Sequence, residues 1–201
     1  MRYLFDGDYS KSQLPALFLD RDGIINIDHG HVYKISDFEF NDEIFNLVRE
    51  AKKNNFLVIV ITNQAGIAKG FYTEEDFKKL SNWMLKIFLE KNAKIDAIYY
   101  SPFHPTMGKG KYLLKENTRK PGAGMIVEAM QDFNINISKS ILVGDKLSDI
   151  QAGIAANVEH NFLYKNSDDL SKRFSDRTIR KLIKKIESLN DVHPFLNKKF
   201  N

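Results

Sequence analysis

The sequence predicts an α/β fold built on a doubly wound parallel sheet. Short, wholly apolar runs of strand length alternate with stretches of helical period. The runs end in acidic or polar residues, first Asp20, then Thr62, then Asp145. Alternation of this kind implies right-handed crossovers and helices on both faces of the sheet.

The first strand is Leu17 to Asp20, a buried run following Pro15 and Ala16. A helix follows over Asp42 to Asn54, with Ile44, Leu47, Val48 and Ala51 on one face. Phe56 to Thr62 reads as a fully buried strand. Thr73-Glu74-Glu75-Asp76 resembles a capping box, opening a helix whose apolar face carries Phe77, Leu80, Met84, Ile87 and Phe88. Trp83 beside that face is expected to pack on the core. Ile95 to Tyr100 is a third strand, Gly124 to Asp132 a helix and Ile141 to Val143 a fourth strand. Asp149 to Ala156 is a helix, and Asn161 to Tyr164 a short last strand. Pro102 to Asn117, holding Pro105, Gly108 and Gly110, reads as a loop. Toward the end, Ile179, Leu182, Ile183, Ile186 and Leu189 form an apolar stripe opposite Arg180, Lys181, Lys184 and Lys185. That pattern predicts an amphipathic helix packed on the domain.

A length of 201 residues suits one domain over 1–201, with a helical extension at about 170–201. The net charge of +4 suits an anionic small substrate and is too weak to argue for nucleic acid. Cysteine is absent, which excludes disulfides and thiolate metal sites. Residues 1–11 lack a signal-peptide apolar core, and the longest apolar stretch, Phe56 to Ile61, cannot span a membrane. These features lead us to expect a cytoplasmic monomer.

The strand ends carry the chemistry. Asp20 and Asp22 emerge on the same side of an extended chain, while Arg21 points away. Two carboxylates about 4 Å apart repel by roughly 4 kcal/mol at an effective dielectric near 20. Such a pair is kept where it binds a cation or runs nucleophilic and acid–base chemistry. In a parallel sheet, Thr62, Lys120 before Pro121, and the segment Asp145 to Asp149 reach the same edge. Hard oxygen ligands in that cluster suggest Mg²⁺.

With these motifs in order, the chain resembles the haloacid dehalogenase (HAD) superfamily of aspartyl phosphohydrolases. The matching residues are Asp20-x-Asp22-Gly23, Thr62, Lys120, and Asp145 with Asp149. The resemblance implies that Asp20 is the nucleophile and Asp22 the general acid and base. It implies Mg²⁺ on Asp20, on the main-chain carbonyl of Asp22 and on Asp145, with Asp149 orienting Lys120 or a metal-bound water. It also implies a loop-type cap in place of a separate cap domain. Leu19 to Asn26, Ile61 to Gly70, Arg119-Lys120-Pro121 and Val143 to Asp149 are similar to the heptose bisphosphate and histidinol-phosphate phosphatase branch. By that likeness the substrate is a small sugar phosphate, a heptose 1,7-bisphosphate, met by Asp28, His29, Asn63, Arg119, Lys120 and Lys146. Histidinol phosphate or another small phosphomonoester is the alternative within the branch. A non-catalytic phosphosugar-binding protein is the alternative from another class. A 3′-end DNA phosphatase shares the core, but no basic track with stacking aromatics is evident.

Two departures from the branch stand out. Ile24 replaces the usual Thr, and Ser101, Phe103, Glu116 and Thr118 occupy the positions of a structural zinc's ligands. No zinc is therefore expected, and His104 reads as a loop residue.

Overall fold

In the computed structural model, residues 2–4, 13–166 and 177–197 are described. Residues 5–11 of the N-terminal reading, and 170–176 and 198–201 of the expected extension, lie outside them.

One sheet holds β1 (Arg2–Leu4), β2 (Ala16–Leu19), β3 (Leu57–Asn63), β4 (Ala97–Ser101), β5 (Ile141–Gly144), β6 (His160–Tyr164) and β7 (Ile183–Ile186). Their spatial order is β1-β4-β3-β2-β5-β6-β7. All neighbours run parallel except β1, which lies antiparallel on β4. From β2 the chain builds outward through β3 and β4, then returns to the other side of β2 to place β5, β6 and β7. The reversal falls between β2 and β5, the position where open α/β sheets leave a crevice at the carboxyl ends of their strands.

Strand alternation feeds two cores. Leu17, Leu19, Val58, Val60, Ile141 and Val143 face α1 (Ile44–Lys53) and α3 (Glu74–Glu90), meeting Leu47, Phe77 and Leu80. Ala16, Phe18, Ile59, Ile61 and Leu142 face α4 (Gly124–Phe133) and α5 (Leu147–Ala155), meeting Ile126, Ala129 and Ile150. Because both faces are covered, these strands read as unbroken apolar runs rather than as alternation. The capping box at α3 is formed, with Thr73 and Asp76 each accepting from the other's backbone N–H. Trp83 packs on the first core, edge-on to Phe38 at 5.5 Å.

The tail departs from expectation. In place of a continuous amphipathic helix, a short α6 (Arg177–Lys181) leads into β7, parallel to β6. A 3₁₀ turn (Leu189–Val192) and α7 (His193–Leu196) complete it. Ile183 and Ile186, three apart, fit a helical stripe equally well. On the strand they point to opposite faces, Ile183 into the second core and Ile186 into the first. What decides between the two is the open edge of β6, which local periodicity cannot register. Glu43 secures the turn, its Oε2 accepting the Leu189 N–H at 2.6 Å and its Oε1 the Ser188 hydroxyl at 2.8 Å. The sequence reading also did not foresee β1 or the short α2 (Ala65–Lys69) after β3.

Candidate active site

Asp20 leaves the end of β2, and the chain turns at once. The Gly23 N–H bonds to Asn26 O at 2.7 Å, and the amides of Ile25 and Asn26 bond to Arg21 O. Gly23 has φ +98°, a region costly for side-chain-bearing residues, and a Cβ there would stand 2.3 Å from Asp145 Oδ2. Glycine therefore lets the β2 turn close against the end of β5. As a result, carboxylate oxygens of Asp20, Asp145 and Asp149 lie within 4.8 Å of one another.

Lys120 balances this cluster from a buried position. Its ammonium lies 2.6 Å from Asp149 Oδ1 and 2.9 Å from Asp20 Oδ1, and donates to Ile61 O at 2.9 Å. One buried ammonium is thus shared between a main-chain carbonyl and two carboxylates. The Arg21 N–H also donates to Asp20 Oδ1. Both contacts thus fall on one oxygen of Asp20, and Oδ2 takes part in neither. Asp149 divides its oxygens, Oδ2 accepting the Lys146 N–H that starts α5. Burial, opposed by Lys120 and reinforced by the nearby carboxylates, pushes Asp20 up to about 7. Burial likewise pushes Asp145 up to about 6. For Lys120, burial acts downward, but Asp149 and Asp20 outweigh it and raise the ammonium. Asp145 Oδ1 is buried with no hydrogen-bond partner among the described residues. An unpartnered hard oxygen beside two further carboxylates is a donor set that fits a divalent cation.

Asp22 lines the same cleft as Asp20. Arg21 does point away from Asp20, but its buried guanidinium curls onto the Asp22 carboxylate, at 2.8 and 2.9 Å, and onto Val32 O. Asn26 Nδ2 donates to Asp22 Oδ1 at 3.2 Å, and Gln64 Nε2 to Oδ2 at 3.0 Å. The cleft has a volume of about 280 Å³. Its lining includes Asp20, Asp22, Asp28, Asn63, Lys120, Lys146 and Asp149.

Other predicted residues fall elsewhere. Thr62 lies buried beneath the cleft, its hydroxyl accepting from Gln64 Nε2 at 2.8 Å. Asn63 reaches the lining, yet its amide is engaged with the Lys120 backbone in both directions. His29 stays outside the lining, 3.3 Å from Glu39 on the exposed side of its loop. His31 takes the wall position instead, in a left-handed conformation (φ 54°) that sequence pattern does not reveal. Lys146 spans the rim from Asp28 at 3.0 Å to Asp145 at 3.6 Å. Arg119 lines an adjoining cavity of about 390 Å³ that shares Lys120 with the cleft. Gln64 and Tyr72 were missed; Gln64 follows Thr62-Asn63 directly, whereas Tyr72 carries no local signal.

The loop from Pro102 to Asn117 is held by ordinary polar contacts. Tyr112 and Tyr100 both donate to Glu74, Lys109 N–H bonds to Ala68 O, and Arg119 donates to Phe103 O at 3.1 Å. Ser101 and Thr118 are present there as buried hydroxyls without a hydrogen-bond partner among the described residues.

The sequence profile of the polynucleotide kinase 3 phosphatase family matches residues 18–177. The chain belongs to this family. Relatives of the chain carry narrower names. A D-glycero-alpha-D-manno-heptose-1,7-bisphosphate 7-phosphatase of Burkholderia mallei is 45% identical over 90% of this chain and 93% of its own. A D-glycero-beta-D-manno-heptose-1,7-bisphosphate 7-phosphatase of Haemophilus influenzae is 43% identical over 74% of this chain and 80% of its own. Among solved structures, a HAD-like phosphatase from Mesorhizobium loti superposes with TM-score 0.85 at 28% identity, covering 97% of this chain and 91% of that one. The D,D-heptose 1,7-bisphosphate phosphatase of B. bronchiseptica, complexed with magnesium and phosphate, gives TM-score 0.74 at 22% identity over 91% and 98%. This family member therefore has the HAD-like α/β fold. Among the described residues, no helix is long and apolar enough to cross a membrane.

Proposed function

We propose that this chain is a Mg²⁺-dependent phosphatase that removes the 7-phosphate of D-glycero-D-manno-heptose 1,7-bisphosphate. The observation that carries this reading is the position of Asp20: buried, held by one oxygen to Lys120, and lining with Asp22 a cleft sized for a small ester. The names of relatives at 43–45% identity supply the substrate class. A cytoplasmic monomer belongs to the same reading.

In the first half-reaction, the Asp20 oxygen not engaged by Lys120 attacks phosphorus. A carboxyl–phosphate bond forms as the phosphorus–alkoxide bond breaks. Asp22 passes its proton to the departing oxygen, so the sugar leaves as a neutral alcohol. In the second half, water attacks the same phosphorus and gives its proton to Asp22. The Asp20–phosphorus bond then breaks, releasing phosphate and restoring both carboxyl groups. Splitting one hard displacement into two easier ones is the purpose of a carboxylate nucleophile. Mg²⁺, held by Asp20, the Asp22 carbonyl and Asp145, would neutralise charge on the transferring group. Lys120 opposes the effect of burial on Asp20, favouring its ionised form, and aims it while Asp149 holds Lys120. Asp28, Lys146 and Arg119 offer polar and cationic contacts for the sugar and its second phosphate.

Phosphate release from both heptose bisphosphate anomers, histidinol phosphate and a 3′-phosphorylated oligonucleotide, with and without Mg²⁺, tests the proposal. The expected result is Mg²⁺-dependent release with a heptose bisphosphate at least tenfold ahead in kcat/KM. Preference for either competitor, or unchanged release by Asp20→Asn, overturns it.

A further inference from the structure

Asp22 is gripped from two directions. Arg21 and Asn26 belong to its own turn, whereas Gln64 reaches it from the end of β3. Gln64 is almost wholly buried, and its amide is completely used. Nε2 donates to Asp22 Oδ2 at 3.0 Å and to Thr62 Oγ1 at 2.8 Å, while Oε1 accepts the Tyr72 hydroxyl at 2.5 Å.

The chemistry allows this amide only one orientation. Asp22 Oδ2 is an acceptor here, taking a bond from Arg21 Nη2 as well, so the NH₂ group rather than the amide oxygen faces it. The carbonyl oxygen, then turned inward, needs a donor, and Tyr72 supplies it. Burial pushes the Tyr72 phenol upward, so it stays protonated as a donor. The ring has little freedom of its own. It stacks on Tyr33 with centroids 5.0 Å apart and planes at 10°. Its Cε1–Cζ edge lies against Gly66, where a Cβ would stand 2.1 Å from the ring.

We infer that Gln64 and Tyr72 are positioning residues, a buried hydrogen-bonded pair that fixes the direction of the Asp22 carboxylate. The inference rests on the reading above, in which Asp22 protonates the leaving group. Without the Tyr72 hydroxyl, Gln64 Oε1 loses its donor, so the amide shifts and its grip on Asp22 loosens. The sugar alkoxide, a poor leaving group, then departs with a misplaced acid. An aryl phosphate is affected far less, because its phenolate leaves without a proton.

The test compares kcat/KM for the heptose bisphosphate and for p-nitrophenyl phosphate, since this ratio reports only steps through the first phosphoryl transfer. For Tyr72→Phe, which keeps the ring, kcat/KM should fall about fivefold on the sugar substrate, the size of one net hydrogen bond. On the aryl ester it should stay within about twofold. Gln64→Leu should widen the gap. Asp22→Asn sets the benchmark, a loss of about 10²–10⁴ on the sugar substrate alone. If Asp22→Asn discriminates between the substrates and Tyr72→Phe does not, the positioning pair is overturned and the role of Asp22 survives. If Asp22→Asn lowers both equally, the acid assignment fails and takes the pair with it. Should Gln64→Leu not fold, Tyr72→Phe decides.

Discussion

Asn63 and Lys120 hold each other by the main chain: Asn63 Nδ2 donates to Lys120 O, and Lys120 N–H donates to Asn63 Oδ1, both at 3.0 Å. This pair, 57 residues apart in the chain, fixes where the buried ammonium begins. Asn63→Ala should cost about 1–3 kcal/mol for two hydrogen bonds in a part-buried place. The melting temperature should fall by several degrees and kcat by about tenfold, with KM less affected. Thermal melts and steady-state kinetics check it; unchanged kcat would show that Lys120 needs no such anchor.

Removing the cation itself should be harsher. Lys120→Met leaves Asp20 and Asp149 buried without their shared partner, and breaking a buried pair typically costs about 3–5 kcal/mol. Urea unfolding should show that loss, partly reversed by Mg²⁺ because a second cation can share the two charges. A variant as stable as the parent in the absence of Mg²⁺ would contradict the charge balance described here.

Stability should also depend on pH and Mg²⁺ together. Asp20 and Asp145 are raised to about 7 and 6 mainly by burial, so the folded state keeps protons that the unfolded chain has released by about pH 4–5. Their contribution to stability is therefore present at low pH and is lost as pH rises through those values. A cation that pairs with the ionised forms restores it. The rise in melting temperature on adding Mg²⁺ should be larger at pH 8 than at pH 5.5. Equal rises would mean that the ion binds elsewhere.

The turn at Gly23 permits no side chain. Gly23→Ala combines φ +98° with a Cβ 2.3 Å from Asp145 Oδ2. Mg²⁺ affinity, read by titration calorimetry, should drop at least tenfold as the two segments are forced apart. Affinity equal to the parent would place the ion away from Asp145.

Deleting residues 177–201 should uncover the β6 edge and the core surface that Ile183, Ile186 and Leu189 cover. An open apolar edge strand pairs with other chains, so the truncated protein should aggregate on gel filtration. A monodisperse product would show β7 to be dispensable.

The sequence by itself determined the helices and central strands, because covered strands and amphipathic helices write their environment into local hydrophobic period. It also singled out Asp20, Asp22, Lys120, Asp145 and Asp149 as candidates, since each follows a strand end or lies near the start of a helix. Only the tertiary structure decided the strand order that brings β2 beside β5, the use of Asn63 on Lys120, the choice of His31 over His29 in the Asp28–Val32 loop for the cleft lining, and the strand in the tail. Each of these depends on a partner far away in sequence. A periodic pattern reports which face of a segment is buried, and nothing in it specifies the group that does the burying.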